Sequence, residues 1–319
     1  MDRPNACTTL SYTMIAATVK LPPGDPPWSP SITRVTRARG LAELVVSSLL
    51  FGVMAYLAKR ATRRLDGAQV ALVRFAVGGA MVLAQAAARR APLRPVRWDF
   101  LFLRGFFGGV AVLLYFLSIA ALPVGTATLL NYTAPVFSAV FAGVFLRERL
   151  PGLLFAAFGV AAVGVALVVS GQGKALGGGY GWQAVALASA VCSGAAVTSI
   201  RAARRTDGPW EVFAFFCLLG VVATAPLALA RWRAPTGDEW LLLVAVGLVA
   251  VVAQVLMTHA LGGVEAATSG IIAQITVIMS LLLGHFLDGE PLGRLAAGGA
   301  ALTLVGVSWA AWTAARIEA

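Results

Sequence analysis

From Leu41 onward the chain alternates between long runs of apolar residues and short polar connections, many of them basic. The apolar runs fall at about 41–58, 68–87, 100–120, 124–146, 151–170, 181–200, 211–230, 240–260, 265–286 and 292–312. Each is close to the ~20 residues that carry an α-helix across the hydrocarbon of a bilayer. The runs lack two-residue alternation and are about twice too long for tilted strands, which excludes a closed β-barrel. The pattern predicts an all-α membrane protein of ten transmembrane helices. Connections as short as LPVG before the fourth run and RERLPG after it make the joined helices antiparallel neighbours. Residues 1–39 read differently. The stretch LPPGDPPWSPSITRVTRARG is rich in Pro, Gly, Ser and Arg and predicts a flexible tail, and the apolar run from Met14 to Val19 is too short to span.

Composition sharpens this picture. Of 319 residues 59% are hydrophobic and only 12% charged, about half the charged share of a soluble domain, and the mean hydropathy is +0.83. A formal net charge of +11 would fit a nucleic-acid binder, but Lys and Arg gather in loops beside the apolar runs, as topology requires. No nucleic-acid partner is expected. The partners are the bilayer and a small molecule; oligomeric state is not legible. Arg34, Arg37, Arg39, Arg89, Arg90, Arg94, Arg97, Arg147, Arg149, Arg201, Arg204 and Arg205 favour a cytoplasmic N- and C-terminus in a multi-pass protein of the cytoplasmic (inner) membrane. Lys59, Arg60, Arg63 and Arg64 oppose that orientation. Cys7, Cys192 and Cys217 have no metal-ligand spacing, so neither metal nor cofactor is expected.

The chain also repeats itself. A shift of 142 positions lays NYTAPVFSAVFAGVFLRERL on AQITVIMSLLLGHFLDGEPL without a gap, matching Glu148 with Glu290 and Ser138 with Ser280. Ser47 and Gly52 meet Ser189 and Gly194 at the front. The coincidence of run boundaries is the stronger part. Five runs per half is an odd number, so the second half must enter the membrane inverted, which is an architecture of transporters with a site between the halves. The expected organisation is a tail (1–39), a first five-helix repeat (40–172), a Gly-rich linker (173–180) and a second repeat (181–315).

These features resemble the EamA family of the drug/metabolite transporter superfamily. The resemblance rests on SSLLFGVMAYLAKR, on LVRF around Arg74, on LPVGTATLLNYTAPVFSAVFAGVFLRERL and on VEAATSGIIAQITVIMSLLLGHFLDGEPL. It covers about residues 41–313 and implies a small-molecule permease, often an exporter of amino acids, metabolites or drugs, working by alternating access. In one place the chain departs from the pattern: Val277 stands where the family commonly keeps a proline equivalent to Pro135.

Candidate site residues follow from polar groups at membrane depth. Pro135 lacks an amide hydrogen, so the carbonyl of Asn131 loses its usual partner and the helix bends. Thr128, Asn131, Pro135 and Ser138 share one face, with Tyr132 alongside. This stripe either faces substrate or joins helices by hydrogen bonds. Gln274, opposite Tyr132 in the repeat, Gln254 and Tyr115 carry the same two readings. Glu148 and Glu290 could couple protons, but each lies just before a helix that starts at Pro151 or Pro291, where an acid complements the positive helix end; capping is the preferred reading. Arg104 is expected to snorkel to the interface. Arg74 lies deeper, and the resemblance gives it a structural role. Glu43, His259 and Glu265 fall near span ends. The Gly177–Gly179 run lacks the Lys-Ser/Thr ending of a phosphate loop and reads as a hinge. An intramembrane enzyme finds no support, since the two histidines stand far apart and no acidic cluster falls within a run. A non-transporting sensor or channel is the remaining alternative.

Overall fold

The computed structural model describes residues 37–89, 93–146, 152–172, 180–204, 206–264, 266–290 and 293–318. Within them the structure is helical, with no strand. The elements are α1 (Arg37–Ala61), α2 (Gly67–Arg89), α3 (Trp98–Ala121), α4 (Val124–Asn131), α5 (Ala134–Leu146), α6 (Gly152–Gln172), α7 (Gly181–Ala203), α8 (Pro209–Ala230), α9 (Gly237–Ala260), α10 (Ala266–Asp288) and α11 (Arg294–Glu318). Among the described residues nine of these are long and apolar enough to cross a membrane. The fourth apolar run supplies α4 and α5, two short helices parted at Tyr132 and Thr133.

Pro135 explains the break. It sits in the first turn of α5, where a missing amide costs nothing. Val136 N donates to Thr133 O, and the Tyr132 and Thr133 amides close onto Thr128 and Leu130. Later in the chain, α10 stops at Asp288 because Gly289 takes φ +65°, the left-handed residue that commonly ends a helix.

Loop contacts define two faces. On one, Asp66 pairs with Arg231 at 3.6 Å, Gln69 bonds Arg233, and Arg63 reaches Asp288 at 2.8 Å. On the other, Asp207 accepts the amides of Val96 and Arg97, and Glu43 meets His259 at 2.7 Å. Helix α2 runs from the first face to the second; its 23 residues rise about 1.5 Å each, long enough for a hydrocarbon core.

Helix pairing recurs at the 142-residue offset. Contacts of α3 with α7 are matched by α9 with α1, those of α3 with α8 by α9 with α2, and those of α5 with α7 by α10 with α1. Glycine close approaches are reciprocal in the same register. A Cβ on Gly52 would lie 2.6 Å from Met279, and one on Gly194 2.8 Å from Phe137. Gly78 meets Cys217 as Gly220 meets Phe75; Gly105 meets Leu219 as Gly247 meets Val77; Gly164 meets Thr303 as Gly306 meets Ala161. Each partner is the other's equivalent after the shift. Small residues at such points let helix backbones approach where no hydrophobic force drives them together.

Candidate functional site

A cavity of about 230 Å³ lies among α1, α2, α3, the α4–α5 break, α7, α9 and α10, with single residues of α6, α8 and α11 completing its wall. Its walls include residues 142 positions apart: Phe51 with Ser193, Met54 with Ala196, Arg74 with Phe216, Val112 with Gln254, Tyr115 with Met257, and Asn131 with Ala273. The positions recur, but the chemistry does not. Polar groups come from whichever member of each pair carries one, so the walls are asymmetric.

Of the six residues that the sequence marks as candidates for binding, five fall on this cavity: Asn131, Tyr132, Pro135, Gln254 and Tyr115. Tyr115 Oη lies 2.7 Å from Thr128 Oγ1, which donates back to Val124 O. Asn131 Nδ2 donates to Ser189 Oγ at 2.7 Å and to Ser193 Oγ at 3.3 Å, tying the break to α7. The side-chain nitrogen is therefore engaged, which leaves the amide oxygen to offer a ligand. Gln254 Nε2 reaches Thr258 Oγ1 at 3.3 Å. Gln274 is not part of the wall. Its Nε2 donates to Gly270 O at 3.2 Å and to Tyr132 O at 3.4 Å, so it helps the carbonyl that the break strips of its helical partner.

Arg74 also lines the cavity, and so does Arg104. Arg104 does not snorkel as expected: both arginines are only 5% exposed. The absence of a side chain at Gly108 makes room for the Arg104 guanidinium, since a Cβ there would collide with Nη1. Its Cζ stands 3.9 Å from the centre of the Phe216 ring, while Arg74 lies 5.4 Å from that ring and 5.1 Å from Phe75. Among the described residues neither guanidinium has an acidic partner, and Nε of each is buried without an acceptor. Cation–π contact supplies about 2 kcal/mol when desolvated, whereas an unpaired buried ion costs several kcal/mol. The ring contacts do not balance that cost.

The cavity is bounded on the Asp288 side by polar ties. On α1 the deepest lining residue is Met54 and on α10 it is Thr276. Beyond them, Lys59 Nζ donates to Ile119 O at 2.9 Å and Leu122 O at 2.7 Å, closing the carboxyl end of α3. Val124 N, opening α4, donates to both oxygens of Glu290 at 2.8 and 2.9 Å. Glu290 thus meets a helix start, as an acid should, but that of α4 rather than the helix after it. Burial holds its carboxyl above the usual carboxylate range, opposed by the Val124 amide and the charge of Lys59. Asp288, with a side chain 2% exposed, receives Arg63 at 2.8 Å and Arg60 at 3.6 Å. These ties link α1, α3 and α4 to α10. Glu148 and Glu265 lie outside the described residues. Toward the other face the wall continues through Leu44, Ile200 and Leu261, near the pair of Glu43 with His259.

Long apolar helices gathered around a small, asymmetric cavity define a multi-pass membrane protein. The profile of the EamA-like transporter family matches residues 38–170 and again 181–312. The chain belongs to that family and is a multi-pass transporter. It is 27% identical over 267 residues to the pseudopaline exporter CntI of Pseudomonas aeruginosa (strain UCBPP-PA14), covering 83% of this chain and 93% of that one. Similarity extends to the riboflavin transporter of Vibrio cholerae, 22% identical over 281 residues and covering 83% and 91% of the two chains. Human solute carrier family 35 member G1 is 25% identical over 198 residues, 57% of this chain and 54% of its own. A solved crystal structure shares the fold with a TM-score of 0.63 at 24% identity, covering 89% of this chain and 100% of that one.

Proposed function

We propose that the chain is a secondary transporter that moves small metabolites, amino-acid-like compounds or drugs by alternating access, in the direction of export. The observation that carries this reading is the cavity, lined by repeat-equivalent residues of both halves and tied off toward one face. Residues 40–172 and 181–315 form two five-helix repeats, with α4 and α5 together as the fourth span and 173–180 as their linker. The reciprocal glycine contacts and matched helix pairs support the repeat. Inversion has support from loops: the 62–69 region packs at one face and its equivalent near 204–211 at the other. The substrate sits against Asn131, Tyr132, Tyr115 and Gln254, with the Pro135 break as the flexing element. Glu290 and Asp288 hold the closed face, and rupture of their ties opens it.

The protein resides in the cytoplasmic membrane with both termini cytoplasmic, which makes the closed face external and the cavity inward-facing. CntI and its export role support the direction proposed. The test is an untargeted metabolite comparison between a deletion strain and an overexpressing strain, followed by flux measurement in vesicles. Compounds that accumulate inside the deletion strain and leave loaded vesicles only when the protein is present are expected. Flux through the protein that never saturates would instead indicate a channel.

A further inference from the structure

We propose that Arg74 and Arg104 recognise an oxyanion, so that the molecule carried through this cavity is a net anion. The inference rests on the transport reading and narrows its substrate class. Two guanidiniums, each about 95% buried, share one aromatic ring and one cavity wall. Neither has a carboxylate within reach among the described residues. Intramembrane cations are retained where a pathway or ligand uses them, and normally sit beside a counter-charge. Here the place of the counter-charge is the cavity itself. Arginine's planar fork matches a carboxylate or phosphate with two parallel hydrogen bonds, and both side chains line the cavity.

The rest of the wall limits the ligand further. Among the described residues no Asp or Glu lines the cavity. An ammonium group would therefore have no counter-ion there, and its nearest acid on α1, Glu43, is already engaged by Arg39 and His259. Zwitterions and cations are disfavoured. Amide and hydroxyl groups of Asn131, Gln254 and Ser193 face the body of the ligand, while Phe51 and Phe116 supply apolar surface. The ligand described by these groups is an oxyanion, carboxylate or phosphate, carried on a partly apolar body.

Thermal unfolding of the purified full-length protein in detergent tests the assignment. The probes are hippurate, N-acetylglutamate and citrate, each beside its methyl ester, together with inorganic phosphate and glycylglycine as a zwitterion. Ligands that bind the folded state raise its unfolding midpoint. Acids should stabilise and their esters should not; a response to phosphate alone would assign the oxyanion as phosphate rather than carboxylate. Arg104→Gln and Arg74→Gln should each raise the half-effective acid concentration at least tenfold. Arg104→Gln should also unfold at a higher temperature than wild type without ligand, because an uncompensated ion has been removed. Equal responses to acid and ester, a response confined to the zwitterion, or none to any acid or to phosphate at millimolar concentration would overturn the proposal, with or without stable variants. Saturable vesicle flux of a neutral compound, unchanged in Arg104→Gln, would refute the anion assignment and leave transport standing. Acid binding without flux of any bound acid would do the reverse.

Discussion

The fourth and ninth apolar runs stand 142 positions apart and pack against each other beside the cavity, yet the helix is broken in one and continuous in the other. The fourth parts at Tyr132–Thr133 into α4 and α5, and Pro135 opens the second piece. In the ninth, α10 continues from Ala266 to Asp288, and Val277, fully buried, occupies the position equivalent to Pro135. Gln274 links the two by reaching the carbonyl of Tyr132, its own counterpart in the register. The difference teaches where the break and the polarity reside. The broken span brings Asn131 and Tyr132 to the wall, while its unbroken counterpart contributes Ala273 at the place of Asn131. A repeat can supply the frame, and single substitutions within it then divide the roles.

The largest effect should come from forcing the two spans to be alike. Val277→Pro places a proline inside an unbroken, buried helix and should cost about 3 kcal/mol or more. Pro135→Ala removes only a residue already at a helix start and should change stability by under about 1 kcal/mol. Unfolding midpoints of both variants check the contrast, and equal losses would show that α10 is as pliable as the break.

Next come the helix contacts behind each span. Gly52 supports α10 and Gly194 supports α5, with a Cβ at either position 2.6 or 2.8 Å from its neighbour. Gly52→Ala and Gly194→Ala should each destabilise by about 1–3 kcal/mol, the range of overpacking. A loss confined to one of them, measured by thermal unfolding, would remove the packing equivalence of the two spans.

An effect of no greater size tests the tie between the two runs on the Asp288 side. Glu290→Ala leaves the Val124 amide without its acceptor and should cost about 1–3 kcal/mol. The pH dependence carries a definite sign. Burial raises the Glu290 carboxyl above its ordinary 4.5, so the fold favours the protonated form. That contribution is complete below about pH 4.5 and is lost as pH rises through the raised value. Glu290→Gln keeps a neutral group throughout and should flatten this part of the stability profile. A steeper profile in the variant would contradict the assignment.

Asn131→Ala should act least on the fold and most on the site. Losing one hydrogen bond costs on the order of 1 kcal/mol, several-fold in affinity. Because Nδ2 is bonded to Ser189 and Ser193, a comparable loss of stability should accompany it. Ala273→Asn restores an amide from the opposite span. Measuring affinity and unfolding for both variants separates recognition from helix joining; reduced stability with native affinity in Asn131→Ala would sink its place in the site.

Much of the frame was legible from local pattern. Apolar runs located the helices to within a few residues because membrane depth sets their length, and Pro135 marked the break because its chemistry is local. The 142-residue register matched Tyr132 with Gln274 as equivalent positions, and the structure adds that the two touch. What escaped depended on distant chain segments. Arg104 resembles an interfacial arginine in sequence; Gly108 beside it makes room and Phe216, 112 positions later, covers it. The helix start that Glu290 meets lies 166 positions earlier. Pairing of Glu43 with His259 spans 216 positions. Gln274 carried the right depth but faces Tyr132 instead of the cavity, since a helix face is decided by packing.

Alternation between the two faces is the central claim, and accessibility of the cavity measures it without knowledge of the substrate. In a background lacking native cysteines, Ser193→Cys places a thiol in the wall, and a membrane-impermeant reagent is applied to intact cells and to inverted vesicles. The account predicts labelling predominantly from the cytoplasmic side, shifting toward the outside when Asp288→Ala removes the partner of Arg60 and Arg63. Labelling that ignores Asp288→Ala, or that proceeds equally from both sides in the unaltered protein, would contradict it.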